Sequence, residues 1–435
     1  MSEMMTGIVG LVFLILFFLT GIELGFAMMV VGFVGFAYLV DFSAASNLLV
    51  KDFFDTFTSY GFTVIPLFVL MGQVASNSDV AKRLYTSAQK FVGHIPGGLA
   101  MTTVVGATLF KAMCGSTLAT AATFAGIAIP EMDRFHYDKR LSTGVVASVG
   151  TLGMLIPPSI VLIIYGIVVE QSIGRLFLAG IVPALIIALF FIFVIYGWVR
   201  INPKVAPLAE KVALGERIRA LPEFLWVGVI FLVIMGGLMF GVFSPTEAGT
   251  MGTISVFILA AAHKGLTFEK VIQAFDGSLR TACMTLVLIY GSVVLGHFLA
   301  VTEIPFAAAD WITGLPLPRF LVMVSIIVVY LIGGSFIDDL AFMILATPIF
   351  YPAVIKLGYD PIWFGIMIGI TIMIGVIIPP VAICVFVVRN ITGVPFGTIY
   401  RGVLPFLLSL FGCAALLFLF PEIATFLPNL LMGSS

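Results

Sequence analysis

Residues 153–162 read GMLIPPSIVL, and residues 375–384 read GVIIPPVAIC. Each proline pair stands inside an apolar stretch otherwise long enough to cross a bilayer. Proline removes a backbone donor and clashes with the preceding turn, at a cost of about 3 kcal/mol in a helix interior. Irregular backbone at membrane depth is tolerated only where it is buried in protein or lines a polar cavity. A helix broken there exposes N–H groups on one half and C=O groups on the other. The N–H ends favour anions, and the free carbonyls can ligate a cation such as Na⁺. One such pair reads equally well as a simple kink, with Ser, Thr or water satisfying the freed groups. Two pairs at matching places in two halves of a chain point instead to broken helices around a transporter binding site.

Composition fits that setting. The chain has 435 residues, 61% hydrophobic and 10% charged, with a mean hydropathy of +1.20. A soluble protein carries roughly 25% charged residues. Apolar runs of about 18 or more residues recur along the whole length, the mark of a polytopic membrane protein. A net charge of −1 gives no hint of nucleic-acid binding. Cys114, Cys283, Cys384 and Cys413 are scattered without a CxxC pair, so neither a disulfide framework nor a metal site is indicated. The N-terminus lacks a basic leader and a small-residue cleavage site, and reads as a retained first span.

Outward from the prolines, the chain divides into two similar halves, 1–199 and 222–435. They are joined by a polar linker, 200–221, that carries Arg200, Lys204, Lys211, Arg217 and Arg219. Apolar runs at 5–20, 24–40 and 60–76 flank a polar stretch, 41–59. An amphipathic, basic segment follows at 77–98, of the kind that lies at a membrane surface. Residues 95–130 form two short apolar arms around CGST (114–117), each too short for a full crossing of about 20 residues; a re-entrant hairpin fits. After the charged turn EMDRFHYDKR come the broken segment 141–170 and a clean span, 174–199. The second half shows spans at 222–243, 247–263 and 281–300. A second hairpin covers 317–354 with GGSFIDD (333–339) at its tip, the second broken segment covers 362–390, and a last span covers 403–420.

The repeat holds by offset. Pro157, Pro158, Gly180 and Pro183 match Pro379, Pro380, Gly402 and Pro405 at a shift of 222; Glu23 and Gly25 match Glu247 and Gly249 at 224; Gly72 and Gly115 match Gly291 and Gly334 at 219. Five crossings per half, with the hairpins not counted, make the repeat inverted. With the linker in the cytoplasm, 16 of the 21 Lys and Arg fall on that side. Lys51, Arg175, Arg319 and Lys356 fall outside, and Lys111 lies within the first hairpin. That distribution obeys the positive-inside rule. The fold expected is an all-α polytopic membrane protein: an inverted repeat with two re-entrant hairpins and two discontinuous helices.

The chemistry gathers at the breaks and tips. GTLG (150–153), Ser159, Ser116 and Thr117 offer hydroxyl and carbonyl oxygens, the hard ligands Na⁺ prefers. The second tip adds Ser335, Asp338 and Asp339. Intramembrane carboxylates cost at least about 2.5–3.5 kcal/mol each. Adjacent Asp residues diverge on a helix, so one is expected to face a cation or water and the other to bond backbone. Blander roles stay open. Ser116 and Thr117 can bond i−4 carbonyls or ease helix contact; Asp339 can be an N-cap; Lys111 can snorkel to the surface; Glu23 and Glu247 can sit at interfacial turns. Enzymatic chemistry finds no support: there is no Ser/His/Asp constellation at membrane depth, no HExxH and no Walker loop. An aspartyl dyad needs a second mid-membrane Asp from another segment, and none is present. A channel would need a continuous polar lining, and the sequence offers two localised polar knots.

FSPTEAGT (243–250), GGSFIDDLAFMILATPIFYPAV (333–354) and the paired LIPPS and IIPPV segments resemble, in order and spacing over essentially the whole chain, the large membrane subunit of TRAP (tripartite ATP-independent periplasmic) transporters. The resemblance implies an elevator-type fold in the bacterial inner membrane and Na⁺-coupled import of small organic anions, usually carboxylates. It implies no cofactor, with Na⁺ as the coupling ion. It implies two partners, a small four-helix membrane subunit and a periplasmic substrate-binding protein. The chain is too short at its N-terminus to contain the small subunit, which is therefore expected as a separate polypeptide. Cation sites are implied near Ser116, Thr117, Gly150, Thr151 and Gly153, and near Gly334, Ser335, Asp338, Gly375 and Pro379. Substrate is implied between the tips, touching Ser116, Ser159 and Ser335. Ser159 has Val381 as its repeat mate, so the symmetry is broken there. The competing expectation is a stand-alone Na⁺- or H⁺-coupled carrier without a binding protein.

Overall fold

A computed structural model describes residues 2–207 and 213–433, without the side chains of Leu19 and Asp339. Lys211 of the linker therefore lies outside the described residues, as does the side chain of Asp339. The described residues form helices and no strand.

Helices α1 (Glu3–Leu19) and α2 (Leu24–Leu39) are apolar throughout. The polar stretch after them is itself a helix, α3 (Phe42–Thr58): Asp41 accepts the amides of Ser43 and Ala44 and starts it. A 3₁₀ turn at Tyr60–Thr63 leads into α4 (Val64–Asn77), followed by the amphipathic α5 (Val80–Val92). Then comes a helix pair, α6 (Gly98–Lys111) and α7 (Thr117–Arg134). At 1.5 Å per residue α6 spans about 21 Å, short of a hydrocarbon core of about 30 Å. The segment EMDRFHYDKR is not one turn. α7 continues to Arg134, and α8 (Lys139–Gly150) already begins at Lys139 because Asp138 caps it through the Arg140 amide.

Both proline pairs interrupt helices. α8 tightens into a 3₁₀ turn at Thr151–Met154, and the helix restarts as α9 (Ile160–Val168). In the second half α17 (Pro361–Gly375) stops at Gly375 and α18 (Ile383–Thr392) restarts after Ala382, which takes a left-handed φ of 48°. The Pro157–Pro158 and Pro379–Pro380 bonds are both cis. The remaining elements are α10 (Ile173–Ile201), α11 (Leu214–Met239), α12 (Pro245–Ala262), α13 (Phe268–Val301), α14 (Ile304–Thr313), the pair α15 (Arg319–Phe336) and α16 (Asp339–Lys356), α19 (Phe396–Leu419) and α20 (Glu422–Met432). α11 starts inside the expected linker. The span expected at 281–300 is the second half of the 34-residue α13, which begins under a Thr267 cap. α14 and α20 are additions to the sequence reading. Six helical segments of the described residues are long and apolar enough to cross a membrane: Tyr60–Asn77, Ile173–Ile201, Leu214–Met239, Phe268–Val301, Arg319–Phe336 and Phe396–Leu419.

The first arms of the two interrupted helices, α8 and α17, are the most enclosed. Every residue from Leu141 to Gly150 of α8 and from Ile362 to Gly375 of α17 is buried; α17 is apolar on nearly all sides, as a buried helix is, and α8 buries Ser142 and Thr143 with their hydroxyls donating to the Lys139 carbonyl. α8 lies against α19, α7 and α6, and α17 lies against α15, α19 and α10. Trp363 is fixed by donating from Nε1 to the Leu417 carbonyl at 2.9 Å. A second, smaller core joins α1, α2 and the end of α13 through Leu14, Met28, Val31, Leu295 and Phe298. There the backbones nearly touch: a Cβ on Gly32 would lie 2.7 Å from the Leu295 Cα. Small residues at helix contacts allow this approach where lipid gives helices no hydrophobic reason to associate.

Candidate functional site

A cavity of about 460 Å³ lies between the α2–α13 pair and the tips of the two helix pairs. Its lining includes Gly115, Ser116 and Thr117 from the first tip, Asp338, Leu340 and Ala341 from the second, and Ile160 and Val161 from α9. The opposite wall carries Glu23, Leu24 and Gly25 of the α2 start, with Thr281 and Thr285 of α13.

Four helix N-termini therefore meet at one cavity, those of α2, α7, α9 and α16. Two are capped by neutral hydroxyls. Ser116 Oγ accepts the Ala119 amide at 3.3 Å, and Ser159 Oγ accepts the Leu162 amide at 3.4 Å. The other two begin at carboxylates: Asp338 Oδ1 accepts the Ala341 amide at 3.2 Å, and Glu23 precedes α2 without a side-chain cap bond. Helix N-termini carry roughly half a positive charge and attract anions. The α7 and α9 ends thus form a positive pole, and Asp338 with Glu23 forms an acidic one. An anion and a cation can be held in the same space.

Each tip rests on a break. A Cβ on Gly115 would lie 2.7 Å from the Pro158 carbonyl oxygen, and a Cβ on Gly375 would lie 3.0 Å from the Gly334 carbonyl. The Val381 amide donates to the Ser335 carbonyl at 3.4 Å. At both junctions glycine is what lets backbone meet backbone.

The expected site residues fall into separate places. Ser116, Thr117 and Asp338 line the cavity. Ser159 is fully buried, its hydroxyl donating to the Met154 carbonyl at 2.7 Å, and Ser335 donates to the Leu331 carbonyl at 2.6 Å; neither lines the cavity. Gly150, Thr151 and Gly153 are buried beneath the first tip, and Thr151 donates to the Ser148 carbonyl at 2.8 Å. Gly334 and Gly375 meet at the second junction; Pro379 and Pro380 are exposed in the turn after Gly375, whereas Pro157 and Pro158 are buried in theirs. Glu247 sits in a capping box with Ser244 at the start of α12. Lys111 does not snorkel: it is fully buried. Among the polar lining residues, Thr281 and Thr285 are ones that sequence reasoning left out, and Glu23, read there as an interfacial-turn residue, faces the cavity. The two threonines are i,i+4 neighbours on one face of α13, a signal present in the sequence, but no local rule says which face meets the tips.

The sequence matches the family described as "Tripartite ATP-independent periplasmic transporter, DctM component" over residues 11–423. It is 35% identical over 377 residues to the C4-dicarboxylate TRAP transporter large permease protein DctM of Pseudomonas aeruginosa, covering 86% of this chain and 88% of that protein. It is 30% identical over 421 residues to the sialic acid TRAP transporter large permease protein SiaM of Vibrio cholerae, covering 95% and 96%. The fold is similar to the crystal structure of the YdaH transporter of Alcanivorax borkumensis, with a TM-score of 0.62 and 14% identity over 88% of this chain and 90% of that one. A family match over nearly the whole chain, with relatives at 30% identity or more along most of their length, settles the family: the chain belongs to the DctM-component family, the large membrane subunits of TRAP transporters.

Proposed function

We propose that this chain carries small organic anions, carboxylates above all, across the bacterial inner membrane, driven by Na⁺. The two-poled cavity is the observation that supports this most directly. A carboxylate meets the N–H ends of α7 and α9 and the Ser116 and Thr117 hydroxyls. Na⁺ meets the Asp338 carboxylate and the tip carbonyls of the second junction, around Gly334, Ser335, Gly375 and Pro379. Relatives named for C4-dicarboxylates and for sialic acid, all of them carboxylates, support the substrate class.

Both halves run in the same order, helix pair, broken helix, long helix: α6–α7, α8–α9, α10 and α15–α16, α17–α18, α19. That order and the 222-residue offset support an inverted repeat with its two helix pairs entering from opposite sides. The small separate core of α1, α2 and α13 supports a static wall past which the tips travel, an elevator motion. The family's description as tripartite and periplasmic supports two partners, a small membrane subunit and a binding protein that delivers substrate.

Uptake into proteoliposomes holding this chain and its small membrane partner, under an inward Na⁺ gradient and with candidate organic acids, tests the proposal. Uptake that needs both Na⁺ and the binding protein is the expected result. Na⁺-driven uptake without any binding protein would make this a stand-alone carrier, and uptake indifferent to Na⁺ would refute the coupling.

A further inference from the structure

Lys111 ends α6, just before the first tip, and none of its surface reaches solvent. Its ammonium reaches across the tip and donates to the Ser116 carbonyl at 2.9 Å. Gly153, in the first helix break, lies directly beneath it: a Cβ there would come 2.2 Å from Nζ and 2.6 Å from Cδ. Among the described residues no salt bridge involves Lys111. A buried ammonium without a carboxylate is costly, so oxygen ligands and dipoles must replace its hydration. The Ser116 carbonyl is the oxygen that bonds it, and two helix C-termini add their dipoles. α6 ends at Lys111 itself, and α8 ends at Gly150 ahead of the Thr151–Met154 turn; both present the negative end of a helix dipole.

These are the features a Na⁺ at the first junction would use: the Ser116 carbonyl and the backbone of the 150–153 break. Two cations cannot share them. We propose that the Lys111 ammonium is a tethered cation that takes the place of the coupling ion at the first tip-on-break junction, so that mobile Na⁺ binds only at the second. The inference rests on the Na⁺-driven reading above.

The second junction is built the other way. The offset that pairs Gly115 with Gly334 pairs Lys111 with Tyr330. The Tyr330 hydroxyl donates to Thr347 at 3.1 Å, between α15 and α16 and away from the tip. There the tip carries a carboxylate, Asp338, in place of a cation. One half brings its positive charge covalently, and the other brings the negative charge that recruits one. The fixed ammonium also lies close behind the α7 N-terminus and favours an anion in the cavity before any Na⁺ arrives.

The test is Na⁺ binding by the purified full chain in detergent, at constant ionic strength with choline as the replacement cation. Bound ²²Na⁺ per chain and the dependence of Tm on Na⁺ are read in wild type and in Lys111→Ala, Lys111→Met and Lys111→Arg. Lys111→Ala is expected to bind one more Na⁺ than wild type and to double the slope of Tm against log[Na⁺], since each added site contributes its own linkage. Lys111→Met fills the space without a charge and is expected to lose Tm that Na⁺ does not restore; Lys111→Arg is expected to keep the wild-type count. Equal Na⁺ counts in wild type and a folded Lys111→Ala overturn the role of Lys111. Two Na⁺ bound per wild-type chain overturn it whatever the variants do. Absence of any Na⁺ binding in wild type overturns the Na⁺-driven reading itself, and this inference with it.

Discussion

Thr117→Val removes one hydroxyl from the cavity and keeps the side chain's shape. Thr117 is the first residue of α7, half-buried, and lines the cavity beside the Ser116 cap. In the proposed function its hydroxyl donates to the substrate carboxylate. A hydrogen bond to a charged group is worth about 1.5–3 kcal/mol, so its loss lowers uptake kcat/KM by about 10- to 150-fold at 1.36 kcal/mol per tenfold. Stability should change by less than about 0.5 kcal/mol, because no core contact or cap is lost. Thr120→Val is the matched control. Thr120 is fully buried and donates to the Ser116 carbonyl at 3.0 Å, so its loss should cost about 1 kcal/mol of stability and leave substrate KM near wild type. The assay is initial-rate uptake against substrate concentration in proteoliposomes, with Tm measured in detergent. Wild-type kcat/KM in a fully folded Thr117→Val would refute the placement of the carboxylate at the α7 N-terminus.

Three further outcomes follow from the same geometry. Asp338→Asn keeps a good cap for α16, since Asn caps as well as Asp, but removes the charge: Tm should hold while the half-saturating Na⁺ concentration for uptake rises at least tenfold, and an unchanged Na⁺ response would remove Asp338 from the ion site. Gly115→Ala sets a methyl 2.7 Å from the Pro158 carbonyl, which backbone cannot yield cheaply; overpacking of this kind costs about 1–3 kcal/mol, seen as a lowered Tm and reduced uptake, and wild-type values in both would show that the tip does not seat there. At the α7–α8 turn, hydrogen bonding and charge from Arg140 hold the Asp138 carboxyl below the usual carboxylate range. A depressed folded value means stability that is present above the unfolded pKa of about 3.9 and lost as pH falls through the folded one. Asp138→Ala should therefore lower Tm at pH 7 by an amount that shrinks in acid, and a pH-independent difference would refute the linkage.

Much of this molecule is legible in its sequence because the deciding signals are local. Hydropathy marks the apolar helices, since a backbone in lipid must satisfy itself within one segment. The proline pairs mark the breaks, because no sequence context restores the missing donors. Cap positions were less plain: Ser116, Ser159 and Asp338, expected as ligands, each cap a helix, and the cap considered at Asp339 falls one residue earlier, at Asp338. Element ends were less legible. α7 runs through its charged tail to Arg134, and α8 and α13 begin within charged segments because Asp138 and Thr267 cap their starts, against the run of charge. The cavity wall and the place of Lys111 were decided by tertiary structure alone. A hydropathy profile cannot say which face of α13 turns Thr281 and Thr285 toward the tips, for that depends on Gly25 and Gly32 letting α2 approach from the other side. Nor can it distinguish a lysine that snorkels from one that is swallowed. Lys111 is enclosed because Gly153, 42 residues on in the chain, leaves room for an ammonium, and because the Ser116 carbonyl across the tip takes the hydrogen bond that water would otherwise accept.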